Sequence, residues 1–211
     1  MELMEMSCRD FVKATADSSP APGGGSAAAL AGVLAASLTA MVARLTLGKE
    51  RYQENWEAME QVRGRADSLA KKLGELVDLD TEAYNRVAAA FKLPKETPAQ
   101  KEAKQEAIQA ATIKAALVPL ETLRTVERLL EPLDRALELG NPNCLTDAGV
   151  AAQLLKTAAL GAGYNVRINL SVLKDQSLVS SLSQEVEELT GRVRAETARL
   201  EKLIEENLAE A

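Results

Sequence analysis

Asp80 is the side chain whose position most demands a use. In this chain of 211 residues it falls within the series Leu69, Leu73, Leu76, Asp80, Tyr84, Val87 and Phe91, whose steps of three and four place them on one helical stripe. A carboxylate turned into an apolar seam is costly unless it is paired or put to work, moving a proton or balancing a bound cation. It can equally cap or brace a neighbouring helix, and spacing alone leaves both readings open. Asp78, Glu82 and Arg86 repeat every four residues on a different face, where Glu82 and Arg86 suit an ordinary solvated pair.

A second stripe runs Asp147, Ala151, Leu154, Ala158, Ala162, Asn165 and Asn169, polar at both ends and small between. Asn165 and Asn169, one turn apart, could hold the donor and acceptor edges of a planar heterocycle, or could satisfy backbone groups where helices meet. Asp147 also suits the first turn of a helix after the N-cap candidate Thr146. Asp147 and Asn165 lie 18 residues apart, about 27 Å along a straight helix, so one small reacting centre cannot touch both from one chain without a break near Gly161 or Gly163, a long ligand or a second subunit. The run Pro22-Gly23-Gly24-Gly25-Ser26, opening a helix, is a candidate cradle for an anion or carbonyl oxygen through bare N–H groups, or simply a tight approach to a close-packed helix. Arg44, Lys49, Arg51 and Arg167 are isolated cations near these elements.

The chain contains no histidine. That removes imidazole-based triads, His-ligated zinc and the Glu-x-x-His di-iron signature, leaving Asp, Glu, Lys, Tyr or Cys for proton transfer. Two cysteines, Cys8 and Cys144, make neither a soft-metal site nor a disulfide framework, so no metal is expected. The net charge of −6, with basic residues scattered singly, gives no footprint for nucleic acid. The acidic opening MELMEM lacks the features of a signal peptide, and a cytoplasmic location is the expectation.

The elements that must position these groups are helical. With 36 Ala and 31 Leu and few β-branched or aromatic residues, the composition argues against most β architectures. The charge-free stretch 18–43 has the length of a membrane span but is dominated by Ala and Gly, and it reads better as a central helix buried all round in a bundle than as a membrane segment. Ser7 is the N-cap candidate for a short first helix ending near Asp17; the Pro- and Gly-rich loop 18–25 leads into an Ala-rich helix from Ser26 to about Gly48. Helix is expected over about 50–93, and Thr97-Pro98-Ala99-Gln100 is a capping box with Pro at the first helical position. Pro119 and Pro132 should kink or divide the next helix before Gly140. Helix then resumes at Thr146 towards Leu173, and a last one covers about 177–206. The expected architecture is one all-α domain over residues 1–211, a multi-helix bundle of about five to seven helices with a buried Ala-rich central helix and Pro-kinked helices.

Residues 20–49, 78–95, 110–120 and 143–170, including PAPGGGSAAALAG, DLDTEAYNRVAAAF and LTDAGVAAQLLKTAALGAGYN, resemble the cyclodeaminase/cyclohydrolase family, in order and over nearly the whole chain. Thr146 stands where the family pattern has Ser, and the last helix carries little of the resemblance. The resemblance implies an all-helical, homodimeric folate enzyme acting on a tetrahydrofolate derivative as substrate, with no metal or redox cofactor. It implies either a methenyltetrahydrofolate cyclohydrolase or a formiminotetrahydrofolate cyclodeaminase, both acting at the one-carbon bridge between two folate nitrogens. Transferred by position, Asp80, Lys49 and Asp147 become the catalytic candidates, Lys49 either as a proton donor or as a clamp for the glutamate tail. Asn165 and Asn169 become pterin-edge contacts, and the backbone of Gly23, Gly24, Gly25 and Ser26 the oxygen cradle. A non-catalytic folate-binding or scaffold bundle, with its polar seam residues specifying dimer register, is the alternative from another class.

Overall fold

The computed structural model describes residues 2–210, and among these there is no strand. The helices are α1 (Cys8–Thr15), α2 (Gly24–Thr46), α3 (Trp56–Phe91), α4 (Pro98–Glu127), α5 (Leu130–Leu139), α6 (Leu145–Leu170) and α7 (Gln176–Glu210), with short 3-10 turns at Leu3–Glu5, Glu50–Asn55 and Pro142–Cys144. Local signals explain most boundaries. The Ser7 side chain accepts from the Asp10 N–H at the start of α1, and Thr97 and Gln100 form the reciprocal capping box of α4. The chain leaves α2 through Gly48, whose φ of 75° is the left-handed region that glycine enters without a Cβ penalty.

Three boundaries differ from the sequence expectation. Helix α2 starts two residues early, at Gly24, because glycine tolerates the first helical turn as readily as the loop. Thr146 is not an N-cap: the turn Pro142–Cys144 runs directly into α6, whose N-cap is Cys144 without a side-chain bond. Pro119 sits inside α4 without dividing it, and the division falls at Arg128 and Leu129, so that Pro132 lies in the first turn of α5, where its missing N–H costs nothing.

Helix α2 packs along both α3 and α6; α4 closes on the inner side of α3 and α6, and α7 covers α6. Helix α6 runs antiparallel to α2, with Asn165 beside Gly24, Gly161 against Ala28, and Ala148 near Val42. Small residues permit that approach: Ala28, Ala29, Ala35, Ala36, Ala40 and Ala43 are buried along α2, and Ala151, Ala158 and Ala162 along α6. The expectation that α2 would be buried all round is corrected. It lies in an outer layer between α3 and α6, so its remaining side is bare, with Leu34 48% exposed and Leu45 also exposed. By length and hydropathy α2 could cross a membrane, yet 61% of that apolar stretch is buried within the bundle. Its small-residue face is satisfied by protein rather than lipid.

Candidate functional site

The N-terminus of α2 carries Gly24, Gly25 and Ser26 to the flank of α3, where Asp80 waits one turn after Leu76 and Val77. The carboxylate rests directly on the Cα of Gly25, so close that any Cβ there would overlap it. It accepts from the Ser26 hydroxyl at 3.2 Å and from the Ser26 backbone N–H, at the positive end of α2. Burial pushes the Asp80 carboxyl above its ordinary range, and the two Ser26 donors pull the other way. Among the described residues no cation offsets the charge.

Asp80 forms part of the lining of a cavity of about 290 Å³ together with Gly23, Gly24, Gly25, Asn165 and Asn169. The structure thus brings together six of the nine candidate site residues, with Ser26 behind them against Asp80. Beyond Asp80 the expected core seam opens. Tyr84 is 40% and Phe91 58% exposed, since α2 begins at the level of Asp80 and nothing from it covers α3 further on. Tyr84 and Ile168 line the mouth; the sequence marks Tyr84 only as a member of the apolar stripe and does not mark Ile168, although each follows a candidate at helical spacing. A larger groove of about 650 Å³ between α6 and α7, lined by Gly149, Val150, Ile204 and Leu208, holds none of the candidate residues.

Lys49 and Asp147 are not at this cavity. They lie by Cys144 at the far end of α2, which spans 23 residues, about 34 Å of helix. Helix α6 is continuous through Gly161 and Gly163, so no break carries Asp147 back towards Asn165. Of the isolated cations, Arg44 pairs with Asp67 at 2.7 Å, and Arg51 lies over the Tyr52 ring and bonds Asn141. Arg167 is exposed on α6. Among the described residues no cluster of His, Cys, Asp or Glu is arranged to hold a metal.

The two asparagines are anchored by the backbone. Asn165 donates to the Gly161 carbonyl, while Asn169 donates to the Asn165 carbonyl and, at 3.0 Å, to the Ala115 carbonyl on α4. Ala115 is four residues before Pro119, whose ring nitrogen cannot make the helical bond, so Asn169 satisfies the carbonyl that proline leaves free. Both amide hydrogens of Asn169 and one of Asn165 are committed in this way, which leaves the cavity the carbonyl oxygens of the two side chains and one N–H of Asn165. Asn169→Ala is expected to destabilise the protein by about 1–3 kcal/mol in urea denaturation, the cost of a buried carbonyl without a donor. Because Pro119→Ala restores a backbone donor, the double variant should recover part of that loss; purely additive losses would refute the pairing.

A family model described as formiminotransferase-cyclodeaminase matches residues 7–188. The chain is 36% identical over 190 residues to a formimidoyltransferase-cyclodeaminase of Rattus norvegicus, an alignment covering 87% of this chain and 35% of that protein. It is 34% identical over 190 residues to a methenyltetrahydrofolate cyclohydrolase of Methylorubrum extorquens, covering 90% and 91%. The crystal structure of a formiminotetrahydrofolate cyclodeaminase from Thermotoga maritima superposes with a TM-score of 0.87 at 28% identity, covering 98% of this chain and all of that one. The chain therefore spans about a third of the rat protein and nearly the full length of the latter two.

Proposed function

Since the chain belongs to the formiminotransferase-cyclodeaminase family, matched over residues 7–188, we propose that it hydrolyses 5,10-methenyltetrahydrofolate to 10-formyltetrahydrofolate. The observation that carries this reading is the Asp80 carboxylate, partly desolvated and without a cationic partner among the described residues, in a cavity otherwise walled by apolar groups, backbone, two amides and the Tyr84 ring. Such a group is poised for a ligand that brings its own positive charge, and the amidinium of the methenyl substrate is one. Water adds to the bridging carbon as Asp80 takes its proton. The neutral tetrahedral adduct then breaks its bond to N5, which recovers a proton from Asp80, while the new hydroxyl releases its own proton to become the formyl oxygen. One water is consumed and one proton released overall. The Gly24 and Gly25 N–H groups at the start of α2 are proposed donors to that developing oxygen, and the carbonyl oxygens of Asn165 and Asn169 proposed acceptors for pterin N–H groups. No cofactor is required beyond the folate itself, and two free cysteines suit a reducing cytoplasm.

The test is to mix the protein with 5,10-methenyltetrahydrofolate and follow the loss of its near-ultraviolet absorbance against buffer. The likeness to a solved cyclodeaminase favours a second reading. There the same cavity holds 5-formiminotetrahydrofolate, whose other folate nitrogen, the exocyclic N10, attacks the formimino carbon and passes its proton to the imino nitrogen; that amine then leaves as ammonia with a second proton from Asp80. Ammonia release from that substrate distinguishes the two. Acceleration of neither reaction would overturn both.

The proposal includes a homodimer. The bare side of α2, with Leu34 and Leu45, continues onto exposed Val150, Tyr164 and Ile168 of the adjacent α6, a face suited to a second copy. In an antiparallel pairing the Lys49 and Asp147 end of one subunit would approach the Asp80 cavity of the other, the arrangement in which those two residues could join the site. Co-refolding Asp80→Asn with Asp147→Asn subunits is expected to restore activity in the hybrids; none recovered would remove Lys49 and Asp147 from the mechanism.

A further inference from the structure

Ser26 is fully buried, and its hydroxyl has more partners within reach than it has protons. Its Oγ lies 2.8 Å from the Val77 carbonyl oxygen, 3.2 Å from Asp80 Oδ2 and 3.2 Å from Thr81 Oγ1. One O–H cannot serve both the carbonyl and the carboxylate at once. The arrangement has two self-consistent states. With Asp80 ionised, the Ser26 hydroxyl donates to Oδ2. With Asp80 protonated, the carboxyl O–H donates to Ser26 Oγ, and the Ser26 proton turns to the Val77 carbonyl. In either state the Thr81 hydroxyl can donate into the remaining lone pair of Ser26.

We propose that Ser26, backed by Thr81, is a positioning residue that reverses its hydrogen bond to Asp80 each time the carboxyl takes up or gives back a proton. The inference rests on, and deepens, the proposed role of Asp80. Ser26 keeps its own proton throughout and only rotates it, so the proton moved in catalysis travels between substrate water, Asp80 and the folate nitrogen. Being wholly enclosed, Ser26 cannot touch substrate. Its contribution is to hold the carboxylate in one orientation in both protonation states, so that neither state leaves a buried oxygen without a partner. The need is local, because the cavity offers no other charge to do this. Of the residues lining it, Tyr84 on α3 is the other titratable group, and those contributed by the 20–23 loop, α2, α4 and α6 have no ionisable side chain.

The direct test needs no folate. Titration of the Asp80 carboxyl carbon by NMR, assigned against Asp80→Asn, is expected to move upward by roughly half to one pH unit in Ser26→Ala, because the bond Ser26 donates to the charged carboxylate is stronger than the one it accepts from the neutral carboxyl. Thr81→Val, which leaves Ser26 able to donate, should move it less than half as far. The acid limb of the kcat profile should shift with the titration in each variant. Should Ser26→Ala fail to fold, Ser26→Cys, whose thiol is a weaker donor, should give the same upward direction. An unmoved titration, or a rate lowered by one factor at every pH, would overturn the proposal and leave Ser26 as packing. A titration that shifts in a protein without folate turnover would instead retain the switch and reject the reaction.

Discussion

Asp80→Asn is expected to lower the rate of methenyl hydrolysis by about 10²- to 10⁴-fold, the range for removal of a positioned proton acceptor, with helical content unchanged. Asparagine fills the same space and can still accept from Ser26, so binding of neutral parts of the folate should suffer less than kcat. The substitution should also stabilise the protein. Burial raises the Asp80 pKa in the folded state above its value in the unfolded chain, so the folded state holds its proton more tightly. The associated stability is complete below the unfolded pKa and lost as pH rises through the folded one. At neutral pH the parent therefore bears an ionised, partly desolvated carboxylate that the Asn variant lacks. Its melting temperature should exceed the parent's by a few degrees at neutral pH, and the gap should close towards pH 3, where both side chains are neutral. The parent's activity should fall on acidification at a pH above that of an ordinary aspartate. A variant with activity within a few fold of the parent would remove Asp80 as the proton acceptor.

Gly25→Ala is expected to cost activity on the same scale by a different route. A Cβ at this position would overlap the whole Asp80 carboxylate, and the yielding partner is the end of a side chain, not backbone. The carboxylate swings off the end of α2 and the helix survives, since alanine is favoured over glycine by about 1 kcal/mol within a helix. The variant should fold, melt at or above the parent temperature, and lose about 10²-fold or more in kcat. Gly24→Ala meets the Asn165 amide at an ordinary 3.5 Å and should cost less than tenfold. Adding Gly25→Ala to Asp80→Asn should lose little further, because both act through one carboxylate. Near-parental activity in Gly25→Ala would show that the seat of that carboxylate is immaterial.

Much of the bundle was legible residue by residue. Ser7, the Thr97 to Gln100 box and Gly48 act within a few residues of themselves, and the structure uses them as read. Pro119 does not divide α4, since Asn169, 50 residues away in the chain, donates to the carbonyl that the missing N–H leaves free, and no local rule contains that donor. Tyr84 and Phe91 matched the apolar period yet stand exposed, for periodicity identifies a face without saying how far the opposing helix extends. The same gap hid the bare side of α2. Its composition suits close packing on every side, and only the layer order leaves one side open.

By itself the amino-acid order determined that this chain is helical, where most helices begin and end, that any proton transfer falls to Asp, Glu, Lys, Tyr or Cys, and that one carboxylate, Asp80, interrupts an apolar stripe. These follow from backbone propensity and side-chain period, which are local and repeat every turn. Only the tertiary structure decided that Asp80 meets the start of α2 through Gly25, that Asn165 and Asn169 share its cavity, and that Lys49 and Asp147 lie a helix length away. The physical reason is direction. Helix α6 runs antiparallel to α2, pairing the end of one with the beginning of the other, and that pairing is selected by the summed burial of small residues along both helices.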